Sequence, residues 1–412
     1  MTDTEACVVI VGGGQAGYQT AESLRGEGYE GRITLLGGEP YAPYQRPPLS
    51  KAYLLGNVDK QRLKFRAEQY YTDHAIDLQT GTTVVSVDRA KRSLGLKDGT
   101  SLPYDQLVLA TGARMRKLAV PGAELNGVFY LKTIDDVDRI EAQLGTATKV
   151  VVIGAGFIGL EFAAVAAQLG KDVTVLEATP RVMSRVVSPE LSEFFTRTHE
   201  SHGVSIVCDA MVSEIAGNSD AVETVVCDDG TSYPADMVVV GIGVIPDTDL
   251  AEASGLACDN GIIVDRFCRT ADPHVFAAGD CTACHHPFVG RLIRLESVQN
   301  AADQGRTVAA TITGHEKPYD TVPWFWSDQY DLKLQMVGLK DGGDEAVIRG
   351  DMDTGKFSQF HFRKGVLRAI DSVNRPADHI QGRKLLAAGL SPTPQQAADP
   401  DFSLKDLLAQ AA

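Results

Sequence analysis

Val8-Val9-Ile10-Val11-Gly12-Gly13-Gly14-Gln15-Ala16-Gly17 decides how this chain must be read. The apolar run from Cys7 to Val11 has the length and character of a strand buried on both faces. It enters Gly12-x-Gly14-x-x-Gly17 directly, and a helical pattern, Tyr18 to Arg25, follows. The first glycine permits a tight turn and the second lets a pyrophosphate approach the backbone. The third lets the helix pack close to the strand, with its N-terminal N–H groups aimed at the phosphates. One such fingerprint is weak evidence, but this chain carries two. Lys149 to Ile153 is another apolar strand, followed by Gly154-Ala155-Gly156-Phe157-Ile158-Gly159 and a helix. Two strand–glycine–helix units imply two dinucleotides and electron transfer between them.

Bulk properties narrow the classes. The 412 residues suffice for two or three domains. A net charge of −15, from 39 basic and 54 acidic side chains, argues against nucleic acid as the main partner. No apolar run reaches the length of a membrane span, so no membrane association is expected. A cleaved leader would remove the strand at Cys7, and seven scattered cysteines fit reduced thiols; the expected location is the cytoplasm.

Along the chain, Arg32 to Leu36 reads as the second strand, and Glu39 lies 22 residues past Gly17. A nucleotide-binding fold places an acid near there to bond the ribose hydroxyls. Pro43-Tyr44-Gln45-Arg46-Pro47-Pro48-Leu49-Ser50-Lys51 is a proline-stiffened loop that fixes Arg46 and Lys51. Short strands are expected at Thr82 to Val87, Arg92 to Leu96 and Leu107 to Ala110, the last ending in Thr111-Gly112-Ala113. In the second unit Val173 to Leu176 is the matching strand, and Glu177 lies 18 residues past Gly159. A glutamate there favours NADH, because it bonds both ribose hydroxyls and repels a 2′-phosphate. Arg181 and Arg185 follow closely and leave NADPH open. Strands are expected at Val204 to Cys208, Val222 to Cys227 and Met237 to Val240, then Gly241-Ile242-Gly243. Asp280 ends another strand, and a helix is expected from Ser297 to Thr313. From Val322 the texture changes. Both tryptophans fall in Pro323-Trp324-Phe325-Trp326, and strand-like pieces follow at Leu332 to Val337, Glu345 to Arg349, Phe357 to Arg363 and Val366 to Asp371. Ile380 to Ala388 reads as a helix, Pro392 to Pro400 as a polar connector and Leu404 to Ala411 as a last helix.

Arg46-Pro47-Pro48-Leu49-Ser50-Lys51, Gly156-Phe157-Ile158-Gly159-Leu160-Glu161, Arg294-Leu295-Glu296-Ser297 and Trp326-Ser327-Asp328-Gln329 carry a specific resemblance. With the two fingerprints, Ala110-Thr111-Gly112 and Ala278-Gly279-Asp280, they resemble the FAD-dependent ferredoxin reductases, the family of putidaredoxin reductase, rubredoxin reductase and the reductase components of aromatic dioxygenases. The resemblance implies an α/β protein of two Rossmann-like dinucleotide-binding domains plus a C-terminal α+β domain. A discontinuous FAD domain (1–114 and 246–322) would enclose an NAD domain (115–245), and 323–412 would form the third unit. One departure is Gly38, where relatives often carry an acid.

By the same resemblance, NADH gives hydride to FAD, and electrons leave singly for a small acidic [2Fe–2S] ferredoxin, or a rubredoxin. The terminal enzyme would be a P-450-type monooxygenase or an aromatic dioxygenase, and the reductase a monomer or weak dimer. Lys51 would lie near the flavin ring, Asp280 would bond the ribityl chain, and Trp326 would line the electron exit. Glu161 would stand by the nicotinamide, and the helix after Ser297 would aim its positive end at the flavin pyrimidine. The FAD set is completed by Gly12, Gly14, Gln15, Ala16, Gly17, Glu39, Arg46, Val84, Ala110, Thr111, Gly112, Arg114 and Val298. The NAD set is Gly154, Gly156, Phe157, Ile158, Gly159, Glu161, Glu177 and Gly243. A positive docking patch of Arg66, Arg306, Lys384 and Lys405 is expected, because a chain at −15 meets an acidic partner against net repulsion. No metal site is expected. Between Cys7 and Cys208 there is no cysteine, which disfavours disulfide reductases and the NADH oxidases or peroxidases. Cys281-Thr282-Ala283-Cys284-His285 matches the c-type haem attachment pattern, but it abuts the segment assigned to flavin. A flavin-bearing signalling protein of the apoptosis-inducing-factor type stands as the alternative from another class.

Overall fold

A computed structural model describes residues 6–218 and 221–409. Its organising feature is a pair of five-stranded parallel sheets, each built outward from a glycine strand. In the first, the strands run in the order Val275–Ala277, Gln106–Leu109, Cys7–Val11, Arg32–Leu36, Ile76–Gln79. In the second the order is Ser205–Val207, Asp172–Leu176, Lys149–Ile153, Met237–Val240, Val128–Tyr130. Each central strand is β-branched because helices or small antiparallel sheets cover both of its faces, and Val8, Val9 and Ile10 have no exposed surface. Each unit also carries a three-stranded antiparallel sheet, Val84–Asp88 with Ser93–Leu96 and Ser101–Pro103, or Val212–Asn218 with Ala221–Cys227 and Ser232–Pro234. The chain crosses between the units on a two-stranded ribbon, Ala113–Met115 with Val244–Pro246.

The C-terminal part is a five-stranded antiparallel sheet in the order Trp324–Gln329, Leu332–Gly338, Val366–Val373, Lys356–Arg363, Glu345–Asp351, covered by helix Pro376–Ala387. Two local expectations need correction. The tryptophan segment is itself an edge strand: aromatic residues suit a half-buried pleat, and Phe325 and Trp326 pair with Met336 and Gln335. The connector 392–400 contains a helical turn, Pro394–Ala398, started by a Thr393–Gln396 capping box. Buried Arg349 holds its far end by donating to the carbonyls of Ala397, Asp399, Pro400 and Phe402. The last helix runs Leu404–Ala409; the remainder of the expected helix, 410–411, lies outside the described residues.

Helix Phe157–Gln168, which follows the second fingerprint, is apolar on nearly every face because three units meet on it. It packs on its own sheet, on the Pro47–Ser50 turn of the first unit and on strand Trp324–Gln329.

The glycine turns give the first test. A Cβ on Gly17 would sit 1.9 Å from the Gly12 carbonyl oxygen, whereas one on Gly14 meets nothing within 4 Å. Gly17→Ala is therefore expected to lower the midpoint of thermal unfolding by several degrees. Gly14→Ala should leave the flavin-free protein within a degree or two of the parent, yet weaken FAD retention measured by gel filtration.

Candidate active site

Both glycine turns have the same geometry. A Cβ on Gly12 (φ 124°) would lie 2.0 Å from the Ala110 carbonyl oxygen, and one on Gly154 (φ 103°) 2.6 Å from that of Gly241. Gly159 repeats the closeness of Gly17, at 2.1 Å from the Gly154 oxygen. Helices Gln15–Gly26 and Phe157–Gln168 begin at Gly14 and Gly156 with no side chain capping them, so their first N–H groups face open space. That is the cradle a pyrophosphate fills. Gln15, Ala16 and Ile158 lie in these first turns, Ile158 exposed, while Phe157 packs at a tilt against Phe325, ring centroids 4.8 Å apart.

Beyond the first cradle lies a ring of charges. Glu39 accepts from Arg46 Nη2 and the Tyr44 hydroxyl, both at 2.6 Å, and its remaining lone pairs are available to a ribose. Arg46 also donates to the Lys132 carbonyl at 2.9 Å. Sequence reasoning missed Lys132. Its ammonium donates to the Ala113 carbonyl, and burial, with the Arg46 guanidinium beside it, holds its pKa below the ordinary lysine value. The only cue was a lone lysine between strand Val128–Tyr130 and the Thr133 cap. Arg114 turns the other way, pairing with Asp249 at 2.6 Å and Asp247 at 3.5 Å. Thr111 Oγ1 donates to the Asp247 carbonyl at 2.6 Å, Gly112 has φ 73°, and Val84 is buried at the start of its strand.

Asp280 closes the far end of this ring. Burial and nearby Glu296 push its carboxyl up to about 7, against the pull of Arg294, Lys132 and Arg46. Arg294 bridges Glu296 at 2.5 Å. Ser297 caps helix Val298–Ile312 by accepting from the Asn300 N–H at 3.0 Å, which aims fifteen residues of helix dipole at the same region. The donor set fits FAD: acids for ribose and ribityl hydroxyls at the two ends, a glycine cradle and cations between.

In the second unit Glu177 Oε2 accepts from the Ala155 N–H at 2.7 Å, and Oε1 from the Thr179 N–H at 2.9 Å and hydroxyl at 2.8 Å. Arg181 spends its guanidinium on the carbonyls of Ser184 and Val187. Arg185 is the cation that reaches over Gly243, 3.7 Å from where a Cβ would stand.

The two sites meet at Glu161. This carboxylate is 4 % exposed and accepts from Ser50 Oγ at 2.6 Å, Lys51 Nζ at 2.6 Å and Ser327 Oγ at 2.7 Å. Trp326 lies next to Ser327 on strand Trp324–Gln329, its ring centroid 5.5 Å from that of Trp324.

Comparison with known proteins decides the family. The family model described as "Pyridine nucleotide-disulphide oxidoreductase" matches residues 6–305, and "Reductase C-terminal" matches 324–408. The chain is a pyridine nucleotide-disulphide oxidoreductase. Rhodocoxin reductase of Rhodococcus erythropolis is 49 % identical over 98 % of this chain and 94 % of its own. The ferredoxin reductase for the CYP199A2 system from Rhodopseudomonas palustris superposes with a TM-score of 0.96 at 50 % identity, covering 99 % of this chain and 100 % of its own. The reductase of the covalent putidaredoxin reductase–putidaredoxin complex gives 0.96 at 40 % identity, with 99 % of each chain covered. Members of the family are flavoproteins that bind FAD and use NAD(P)H, and this oxidoreductase carries both nucleotide cradles.

The cations expected to form a docking patch separate into two groups on this oxidoreductase. Arg66 pairs with Glu22 at 2.9 Å, and Arg306 with Asp303 at 2.6 Å while reaching Gln19 at 3.4 Å. Glu22 and Gln19 share helix Gln15–Gly26, so the two arginines flank one edge of it. Lys384 and Lys405 are exposed on helices Pro376–Ala387 and Leu404–Ala409. Sequence reasoning missed Arg383, whose guanidinium lies 4.8 Å over the Trp324 ring. The thiols of Cys281 and Cys284 are buried and raised by that burial, Cys284 to about 11, which keeps them protonated. Among the described residues no His, Cys, Asp and Glu cluster could hold a metal, and no helix is long and apolar enough to cross a membrane.

Asp280 makes a pH test. Its pKa of about 7 in the fold exceeds the unfolded value of about 3.9, so the native state holds the extra proton between them. This group's contribution is greatest at low pH and falls as pH rises, levelling off above about 7. In the flavin-free protein, the difference in melting temperature between parent and Asp280→Asn should therefore move against the parent from pH 5 to about pH 7 and flatten by pH 8. A difference independent of pH would show that Asp280 titrates normally.

Proposed function

We propose that this chain is the NADH-dependent, FAD-carrying reductase of a small acidic [2Fe–2S] ferredoxin that serves a P-450-type monooxygenase or an aromatic dioxygenase. The observation that carries the reading is the Lys51–Glu161–Ser327 knot, which brings both nucleotide units and the tryptophan strand to one point. A rubredoxin as acceptor is the second reading, since the same exit serves any one-electron carrier of the right charge. Residues 1–114 and 246–322 hold FAD, 115–245 hold NADH, and 323–412 form the exit side. Seven free thiols suit a reducing cytoplasm. A monomer or weak dimer, without nucleic acid or membrane, completes the proposal.

Bound FAD supplies what no side chain here has: it accepts two electrons together as hydride and returns them one at a time. The side chains bind and orient. Lys51 donates one N–H to Glu161 and one to the Pro47 carbonyl at 3.1 Å, which leaves a third to face a bound flavin ring. Glu161 fixes that ammonium by direct contact at 2.6 Å. Asp280 would accept from a ribityl hydroxyl of bound FAD, and the N-terminus of helix Val298–Ile312 would favour negative charge on its ring. Trp326 and Trp324 form an aromatic edge leading outward, and the Trp324 N–H donates to Gln299 on that helix at 3.2 Å. No cysteine lies between Cys7 and Cys208 to act as a thiol shuttle, so the side chains here offer no redox relay between a bound flavin and its partner.

Glu177 sets the preference for NADH. Because Arg181 is committed to backbone carbonyls, removing the acid leaves Arg185 as the one cation of this pair able to meet a 2′-phosphate. Glu177→Ala should shift the ratio of kcat/KM for NADPH over NADH upward by roughly ten- to hundredfold. Much of that shift should be loss of NADH activity, since Glu177 also braces the Ala155 N–H. A parent protein that already uses both nucleotides equally would contradict the assignment.

Docking is tested separately. Lys384→Gln with Arg306→Gln should slow ferredoxin reduction about two- to tenfold, mainly through KM, because exposed charges are each worth at most about 1 kcal/mol. NADH-to-ferricyanide transfer should be unchanged, and added salt should mimic the double variant. Equal loss of both activities would place the docking face elsewhere.

A further inference from the structure

The two oxygens of Glu161 face different neighbours. Oε2 accepts from Ser50 and Lys51, and Oε1 accepts from Ser327. Ser327 is buried and has one hydroxyl proton but two polar neighbours, Glu161 Oε1 at 2.7 Å and the Gln329 side-chain amide at 3.2 Å. Which neighbour receives the proton depends on which end of that amide faces Ser327. Gln329 turns Nε2 to Ser327 and Oε1 to His199 Nε2, 2.8 Å away. His199 has no exposed surface, and burial lowers its pKa to about 4, so at neutral pH it is uncharged and carries a single N–H. The Tyr330 hydroxyl lies 3.2 Å from Nδ1. A phenol donating to Nδ1 leaves Nε2 with the proton. Every link then donates in one direction: Tyr330 to His199, His199 to Gln329, Gln329 to Ser327, Ser327 to Glu161.

The backbone keeps Tyr330 in place at a cost. It is the first residue of the two-residue turn between paired Gln329 and Leu332, with φ 56°, a position that favours glycine or asparagine. There its ring meets His199 edge-on at 5.1 Å and stacks on His202 at 3.8 Å. His199 comes from helix Pro189–Ser201 of the second unit, and Ser327, Gln329 and Tyr330 come from the C-terminal sheet. Neither fingerprint contains any of them.

We propose that His199 and Gln329 are positioning residues of the hydride-transfer site, which act by turning the one hydroxyl proton of Ser327 onto Glu161. The proposal rests on the reading of Lys51 and Glu161 as flavin-facing. Without the His199 N–H, Gln329 is free to turn Oε1 toward Ser327 and capture its proton. Glu161 then loses one of its three side-chain donors and leans wholly on Ser50 and Lys51.

The test uses the full-length, FAD-loaded protein. Long-range 15N–1H spectra of the histidine rings should show His199 as the neutral Nε2–H tautomer. The Nδ1–H tautomer would reverse the links through Tyr330, His199 and Gln329, draw the Ser327 proton away from Glu161 and overturn the proposal. Anaerobic stopped-flow reduction of FAD by NADH should be about tenfold slower in His199→Leu, the scale of one hydrogen bond to a charged group. His199→Gln, which can still donate to Gln329, should stay within about twofold of the parent. The double variant His199→Leu/Gln329→Leu should be faster than His199→Leu alone, because no amide remains to take the Ser327 proton. A merely structural role makes the double variant as slow or slower, and that result would also overturn the proposal. If His199→Leu does not fold, the tautomer and the His199→Gln rate decide. Glu161→Gln separates the two readings: a parental rate there would sink the flavin-facing role of Glu161, while the tautomer still reports on the chain of donors.

Discussion

A single buried carboxylate holds the architecture together. Glu161 arises from the second glycine helix, yet its hydrogen-bond partners belong to the first nucleotide unit and to the C-terminal sheet. An ionised group with so little exposure is tolerable only when fully paired, and removing one partner of such a pair costs about 3–5 kcal/mol. The helix that carries it is correspondingly apolar, because most of its surface is covered by one of the three units. The constraint is mutual. The three bodies must approach closely enough to satisfy Glu161, and once they do, the places where two dinucleotides would lie are brought to one point.

Repetition explains the rest of the scaffold. Each unit places a glycine turn at the C-terminal end of its central strand, a helix behind it and an acid at the end of the next strand. Backbone crowding at Gly17 and Gly159 is nearly identical, 1.9 and 2.1 Å for an added Cβ, so both helices start against their strands in the same way. The acids differ in what they do locally. Glu39 is tied to Tyr44 and Arg46 of the proline loop, whereas Glu177 braces the glycine turn itself through the Ala155 N–H. One unit thus fixes its acid by a charged loop and the other by backbone.

Much of this was legible in the sequence, for a physical reason. Strands buried on both faces appear as uninterrupted β-branched runs, so Cys7–Val11, Arg32–Leu36, Lys149–Ile153 and Met237–Val240 were placed without error at either end. Strand Trp324–Gln329 was not, because this edge strand has three aromatics followed by three polar residues and so neither a β-branched run nor an alternation. The turn at Pro394–Ala398 depends on Arg349, nearly fifty residues earlier in the chain, and no local pattern announces that contact. The same limit applies at the site. Glycines, Glu161, Lys51 and Asp280 sit in recognisable motifs, but Lys132, Arg383 and His199 matter through neighbours that only the folded chain supplies.

The first sheet ends in strand Val275–Ala277, which pairs with Gln106–Leu109 across the whole inserted second unit. On a chain made from its N-terminus, four strands of that sheet are synthesised long before the fifth, and until then Gln106–Leu109 keeps an open edge. The inserted unit has all five of its strands between Val128 and Val240 and can close first. Its closure brings the ribbon strand Val244–Pro246 back beside Ala113–Met115, which shortens the loop that Val275–Ala277 must span. Synthesis therefore favours an order of assembly: the inserted unit matures inside an unfinished first unit, and the time for which the latter's edge stays open is when mispairing threatens most.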